Sequence, residues 1–218
     1  MTPSPSDLAD AIEEGLRSAA SALDEEQAVA GLDVLDEVKL HPFLHAALRA
    51  APAGWGVWPE QKFPSGWSKK ARSHGERCDV VLTPDGRPVL DGELEGTLFG
   101  DPGGEGVAAE EAFWLEVKTT AQFEEEGFAK RYSAELGRTL LADARKLGRD
   151  PGIRHAALLL VLFTFNEETA VHDAGVWHEK ALSAGIAVDL PSVRGFPITD
   201  RVGNAWCGVF VFGIRPAV

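Results

Sequence analysis

Three charged residues, Asp79, Glu116 and Lys118, lie in stretches that are otherwise apolar enough to be β-strands. Side chains two positions apart on a strand point to the same face, so Glu116 and Lys118 are expected to project side by side from the strand 113–118. Carboxylates bind hard divalent cations through oxygen, and such an ion polarises a phosphoryl group and acidifies water. A lysine beside the ion can stabilise growing negative charge or position the water. These residue types therefore predict a metal site that cleaves a phosphodiester.

The spacing of the acid and the lysine is not specific by itself, because the same residues at a strand end can form an ordinary ion pair. The string Glu-x-Lys also occurs a second time, as Glu37-Val38-Lys39, where the sequence is typical of a helix. Only the pair at 116 and 118 follows an apolar strand and has a second strand-borne acid upstream. Charged residues are costly in such strands unless they are paired or bind a metal, so this context favours the metal site.

The elements that must position these residues alternate along the chain. Residues 1–30 are predicted to form a helical extension, and a second helical stretch follows, with a kink or break near His41 because Pro42 lacks an N–H. Strands are predicted at 55–59, 78–82, 112–117, 156–165 and 206–214, the start of a return strand at 89–90, and helices at 124–147 and 168–184. This order predicts an α/β fold, a single domain over 1–218 with a mixed central β-sheet flanked by helices.

The strand-borne Asp79 followed by Glu116-Val117-Lys118 on the next strand resembles the pattern of the PD-(D/E)XK, or restriction endonuclease-like, nuclease superfamily. The resemblance implies a core of order α-β-β-β-α-β over roughly residues 30 to 165. It implies Mg²⁺ or Mn²⁺ held by Asp79, Glu116 and the carbonyl of Val117, with Lys118 positioning or activating the attacking water. It also implies that the substrate is a nucleic acid, DNA in the first place, cleaved by an endonuclease of restriction, repair or anti-phage type.

Members of this superfamily often add an acidic residue from the helix that precedes the sheet. Glu37 is the best match, because it lies on an amphipathic stretch before the first strand, and Glu60 at the end of that strand is the competitor. A solvated helical glutamate is the alternative for Glu37. His41 and His45 are four apart, as helical zinc ligands can be, but Pro42 disturbs the geometry and a structural or surface role is expected for both.

Two basic regions are candidate contacts for a nucleic acid. The loop before Asp79 carries Lys69, Lys70 and Arg72 beside an aromatic residue, a combination that suits a nucleic-acid strand. Its alternative is simple solvation.

The helix that follows the site carries Arg131, Arg138 and Arg145 at intervals of seven, nearly two helical turns, so one basic stripe is predicted. Such a stripe can contact phosphates or can be a solvated face. Tyr132 resembles helical residues that orient DNA in some of these nucleases, with packing in the core as its alternative.

The charge balance restricts the function further. The 218 residues hold 34 acids against 21 lysines and arginines, a net charge of −13, which argues against a protein that coats nucleic acid non-specifically. Residues 91–111 form an acidic, glycine-rich insertion without a lysine or arginine. A homodimer or a protein partner that supplies affinity for DNA would fit this balance. The rival interpretations are a nuclease-like fold that is a non-catalytic binding module in a larger complex, and an acidic immunity or nucleic-acid-mimic protein.

The location of the protein is predicted by what the sequence lacks. No segment reaches the roughly 20 apolar residues that span a bilayer, and the first residues do not resemble a signal peptide. A cytoplasmic protein without a membrane partner is expected. Cys78 and Cys207 have no metal-ligand spacing and are expected to be buried, reduced thiols.

Overall fold

The structure is a computed structural model that describes residues 2–66, 76–90 and 106–216. Within these ranges the helices are α1 (Pro5–Glu25), α2 (Glu37–Ala50), α3 (Tyr132–Ala134), α4 (Leu140–Arg149) and α5 (Glu167–Ser183). The strands there are β1 (Gly56–Lys62), β2 (Arg77–Thr83), β3 (Phe113–Ala121), β4 (Phe123–Glu124), β5 (Gly127–Phe128), β6 (His155–Thr164), β7 (Ser192–Pro197) and β8 (Trp206–Ile214).

The described strands form a six-stranded sheet of order β1-β2-β3-β6-β8-β7 and a separate hairpin of β4 and β5. Only β3 and β6 are parallel among the paired strands of this sheet, and the other neighbours are antiparallel. The predicted α/β class with a mixed central sheet is therefore confirmed. Strand β6, apolar from Ala156 to Phe163, lies in the middle of the sheet and is buried, as a strand covered on both faces must be.

Helices cover both faces of the sheet. Helices α1 and α2 pack on one face, where their leucines meet Leu115 and Val117 of β3. Helices α4 and α5 pack on the other face, where Leu140 and Leu147 meet Trp114. Because side chains alternate along a strand, Glu116 shares the α4 face with Trp114. The site residues of β3 are thus presented toward α4.

Helix α1 begins at a capping box and packs closely on α2. The Ser4 hydroxyl accepts from the Asp7 N–H, and the Asp7 carboxylate accepts from the Ser4 N–H, so two groups at the helix start are satisfied. A Cβ added to Gly15 would lie 2.3 Å from the Cβ of Ala47 and 3.0 Å from its Cα. The two helices therefore approach at a distance that only glycine permits at this position.

Replacing Gly15 by alanine is expected to lower the free energy of unfolding by about 1–3 kcal/mol, because α1 must move away from α2. Gly175→Ala is the matched control, since a Cβ at Gly175 in α5 meets nothing within 4 Å. Alanine at this open helical position is expected to stabilise by about 0.5–1 kcal/mol. Urea denaturation of both variants measures the difference, and equal shifts would contradict the close contact.

The long helix predicted from residue 124 begins later. Residues 123–128 form the β4–β5 hairpin, in which Gly127 adopts a φ of +108°, a conformation open to glycine. After α3 the backbone follows a π-helix over Glu135–Thr139 before α4 begins. The predicted start of this helix was wrong by about two turns.

Of the kink or break predicted near His41, the break is absent. Helix α2 runs without interruption from Glu37, with Asp36 as its N-cap and Pro42 inside it. Pro42 is close to the start of the helix, so only the carbonyl of Val38 loses its intrahelical partner, and Val38 is exposed to solvent. The chain instead leaves the helical path between α1 and α2.

Other sequence predictions have mixed outcomes. The return strand at 89–90 is reduced to an isolated bridge between Val89 and Val107, and β7 was not predicted.

Both cysteines are free and buried, as predicted, and burial raises the pKa of each thiol. Residues 91–105 of the acidic insertion lie outside the described residues. Among the helices that the structure describes, none has the length and apolar character needed to cross a membrane.

Candidate metal centre

Asp79 lies where β2 and β3 separate. The two strands pair in register up to Val80 and Leu115, and the next pair would place Asp79 opposite Glu116. At that point the N–H of Val117 donates to a carboxylate oxygen of Asp79 at 2.8 Å. The Asp79 side chain thus takes the place of a backbone partner for Val117. Asp79 and Glu116 meet where the β2–β3 ladder ends, a position called the strand end.

Glu116 is a buried carboxyl, with 3% of its surface exposed. Its Oε1 has no hydrogen-bond partner among the described residues, and the Nζ of Lys146 lies 3.5 Å away. Burial, followed by the charge and the hydrogen bond of Asp79, raises the pKa of Glu116 to about 9. Without a cation, Glu116 therefore keeps its proton at neutral pH. A divalent ion at this position would favour the ionised form of Glu116.

Lys118 lies between two acids from different helices. Its Nζ is 3.0 and 3.2 Å from the two carboxylate oxygens of Glu37 in α2, and 3.7 Å from Asp143 in α4. Burial lowers the pKa of Lys118, but the charge and hydrogen bond of Glu37 and the charge of Asp143 outweigh burial and raise it. The side chain is therefore an ammonium ion held beside the two acids of the strand end.

Glu37, His41 and Asp79, the metal group, could together hold a metal ion, since one ligand atom from each lies within 4.8 Å of the others. The Nε2 of His41 is buried without a hydrogen-bond partner among the described residues, which fits an unused ligand position. His45 is one turn further along α2, with its ring 5.7 Å from that of His41. Burial, followed by the charge of His41, lowers the pKa of His45, so its imidazole is neutral. Two carboxylates and one imidazole form a donor set that fits a divalent ion.

The sequence-predicted ligands are brought together only in part. Of the two candidates for the additional acid, Glu37 lies at the site, whereas Glu60 is exposed and adopts a φ of +54° beside the strand end. Glu116 lies against Asp79 but is not a member of the three-residue group. Val117 is buried, and its described contact with the site is the N–H that donates to Asp79, so a role for its carbonyl stays a prediction.

Helix α4 adds two residues that the sequence did not single out. Asp143 is 8% exposed, and its carboxylate lies 3.1 Å from the Nζ of Lys146 and 3.7 Å from that of Lys118. Lys146 also lies over the ring of Phe63. Asp143 could have been noticed, because it falls on the apolar face of an amphipathic helix, next to Ala144 and one turn from Leu140 and Leu147.

His41 was considered in the sequence and set aside. The signal was present, since His41 is one turn from Glu37 and their side chains share a helix face. Pro42 beside it led to the expectation that a kink or break would disturb the geometry of the two histidines. Because Pro42 is tolerated within α2, His41 reaches the strand end together with Glu37.

A cavity of about 680 Å³ opens next to Lys118 and Glu37. Its described lining is strongly acidic, and Lys118 is its one basic residue. The acids that line it are Asp33, Asp36, Glu37, Glu124, Glu125, Glu126 and Glu135. Such a surface attracts cations and repels anionic groups such as phosphates.

The predicted substrate contacts have different positions. Lys69, Lys70 and Arg72 lie outside the described residues. Arg131 is exposed at the start of α3, whereas Tyr132 is 4% exposed and its hydroxyl donates to Asp173 at 2.6 Å. Tyr132 thus packs in the core, which was its alternative in the sequence.

The basic stripe of the following helix is less regular than predicted. The π-helical segment separates Arg131 from Arg145, so an interval of seven residues is not two α-helical turns there. Arg131 and Arg138 are exposed, and neither has an ion-pair partner within the described ranges. Both remain available to contact phosphates.

Comparisons of the whole sequence and structure with known proteins found no counterpart. No model of a protein family, no curated protein and no solved structure matches this chain.

Proposed function

We propose that the chain is a metal-dependent nuclease of the PD-(D/E)XK type that cleaves phosphodiester bonds, with DNA as the expected substrate. The observation that carries this proposal is the meeting of Asp79, Glu116 and Lys118 with Glu37 and His41 at one strand end. An ordinary ion pair needs neither a buried acid with a raised pKa nor a group of three ligands beside it. The order of α2, β1, β2, β3, α4 and β6 supports the α-β-β-β-α-β core.

In this proposal each side chain has a separate task. Glu37, His41, Asp79 and, once ionised, Glu116 hold the metal ion. When bound, Mg²⁺ or Mn²⁺ supplies polarisation of the phosphoryl group and a water of lowered pKa. Lys118 donates to the attacking water or to the phosphoryl oxygens and stabilises the negative charge that grows there.

The donor set bears on the identity of the ion. Mg²⁺ prefers oxygen ligands in an octahedral arrangement, whereas an imidazole nitrogen suits ions further along the first transition series. We therefore expect Mn²⁺ to bind more tightly than Mg²⁺ and to support cleavage better. Mg²⁺ remains a candidate because of the carboxylates.

The experiment that tests this function is incubation of the pure protein with linear, circular and single-stranded DNA and with RNA, in Mg²⁺ or Mn²⁺. Cleavage that stops when a chelator is added and returns with Mn²⁺ is the expected result. A protein inert on every substrate with both ions would overturn the proposal.

A second candidate is a non-catalytic module that binds a basic partner, and the acidic cavity beside Lys118 favours it. A net charge of −13 agrees with such a partner, which could also supply affinity for DNA. The two candidates differ in their need for metal. The module requires no ion, so full partner binding in chelator combined with absent cleavage would select it.

A further inference from the structure

Five ionisable side chains form a continuous chain in which acids and lysines alternate across the site. It runs from Glu37 in α2 to Lys118 in β3, to Asp143 and Lys146 in α4, and back to Glu116 in β3. The successive distances between lysine nitrogens and carboxyl oxygens are 3.0, 3.7, 3.1 and 3.5 Å. Its two ends are acids that the proposed function assigns to the metal ion, and its centre is Asp143.

The Glu37 carboxylate has two competing partners, the Lys118 ammonium and a metal ion. Both of its carboxylate oxygens are within 3.2 Å of the ammonium of Lys118. The same carboxylate belongs to the group with His41 and Asp79 that could hold an ion. An ion bound to Glu37 would interact with the same negative charge and would place a second positive charge beside Lys118. Metal binding must therefore weaken the contact between Glu37 and Lys118.

Asp143 is placed to keep Lys118 in position when this happens. It is not a member of the metal group, and Lys146 contacts its Oδ1 whereas Lys118 lies nearest its Oδ2. The neighbouring residues Leu140, Ala144 and Leu147 are buried in the core, so α4 holds the carboxylate in place. Asp143 is thus an acid that a bound ion leaves available.

We propose that Glu37 is exchanged from Lys118 to the metal ion, and that Asp143 is the positioning residue that retains the Lys118 ammonium after the exchange. This inference rests on the metal site of the proposed function, although not on cleavage itself. Glu37 would then belong to the ligand set of the ion, while Asp143 in α4 would hold Lys118 in place.

A thermodynamic cycle tests the exchange. Mn²⁺ affinity is measured by calorimetry for the wild type, Lys118→Met, Glu37→Gln and the double variant. Removal of Lys118 is expected to raise Mn²⁺ affinity on the order of fivefold when Glu37 is present, the scale of a partly exposed ion pair. In the Glu37→Gln background the same change is expected to have less than about a twofold effect, because the competition no longer exists. An equal gain in both backgrounds, or no Mn²⁺ binding by the wild type, overturns the exchange.

The role of Asp143 is tested by labelling amines at low dose and measuring the labelled fraction of each lysine by mass spectrometry. In the wild type, Lys118 is expected to stay protected with and without Mn²⁺. In Asp143→Asn, Mn²⁺ is expected to increase the labelling of Lys118 several-fold. Glu37 then binds the ion and position 143 has no carboxylate, so Lys118 has neither acid as a partner. Lys180, which is exposed in α5 and has no contact with the site among the described residues, is the internal control, and its labelling should not change with Mn²⁺ in either protein.

A Lys118 that becomes equally reactive with Mn²⁺ in the wild type and in Asp143→Asn would overturn the positioning role. So would an Asp143→Asn variant in which Mn²⁺ changes nothing. If Asp143→Asn does not fold, the cycle of Lys118 and Glu37 still decides the exchange. Neither readout uses cleavage, so an inert nuclease assay and a failed exchange are separate outcomes.

Discussion

Replacing Lys118 by alanine is expected to lower kcat for DNA cleavage by roughly 10²–10³-fold, the loss typical of one donor that stabilises transition-state charge. The contacts of Lys118 are with Glu37 and Asp143, so its removal leaves the metal group intact and Mn²⁺ binding should persist. Kinetic measurements in saturating Mn²⁺ separate the loss in kcat from a change in KM. The expected result is a variant that still binds Mn²⁺ but has a lower kcat than the wild type.

Lys39→Ala is the matched control for this prediction. Lys39 belongs to the second Glu-x-Lys string, but it is exposed on α2 and paired with Asp36. Its replacement should leave kcat unchanged within about twofold, as expected of an exposed ion pair. If Lys118→Ala were no more damaging than Lys39→Ala, Lys118 would have no catalytic role.

The affinity for Mn²⁺ is expected to rise steeply with pH, because Glu116 must lose its proton to bind the ion. Burial and Asp79 raise the pKa of Glu116 to about 9, so the metal-free site is protonated at neutral pH. Below that pKa the apparent affinity should increase up to about tenfold per pH unit, with one proton released for each ion bound. Calorimetry between pH 6.5 and about 8, in buffers of different ionisation enthalpy, measures both quantities.

Glu116→Gln is the control, since an amide is neutral over this whole range. Its Mn²⁺ affinity should resemble that of the wild type at low pH and should lack the proton release from Glu116. A wild type and a Glu116→Gln variant with the same pH dependence would contradict the assignment of Glu116 as a ligand.

The same raised pKa has a consequence for stability without metal. The folded chain keeps the Glu116 proton after the unfolded chain has released it near the ordinary pKa of 4.5. Stability should therefore fall as pH rises from about 4.5 towards 9, with a slope from this group of up to about 1.4 kcal/mol per pH unit. Glu116→Gln should lack this contribution, as urea denaturation in chelator would measure.

The sequence predicted the parts of the site that depend on local pattern. An acid at position 79 and the pair at 116 and 118 were identifiable because they interrupt apolar strands, and strand alternation placed the pair on one face. The choice between Glu37 and Glu60 was not local. It depends on how α2 packs against the strand end, which brings Glu37 to Lys118 and leaves Glu60 in solvent.

The parts that the sequence missed depend on contacts between distant segments. Asp143 and Lys146 are ordinary charged residues of a helix until α4 packs over β3 and brings them to Glu116 and Lys118. His41 was lost because a proline beside it was given more weight than the tertiary packing of α2. The late start of the helix near residue 132 has a local cause instead, because the chain turns at Gly127 with a positive φ and forms the β4–β5 hairpin.

The measurement that tests the central claim most directly is Mn²⁺-dependent cleavage by Asp79→Asn compared with Asp85→Asn. Asp79 lies near the start of β2 and belongs to the metal group. Asp85 is exposed, in a left-handed conformation that asparagine also adopts. Asp79→Asn is expected to lose both Mn²⁺ binding and cleavage, while Asp85→Asn keeps both. Cleavage by Asp79→Asn at the rate of the wild type, or metal-dependent cleavage that neither variant alters, would contradict an active site at this strand end.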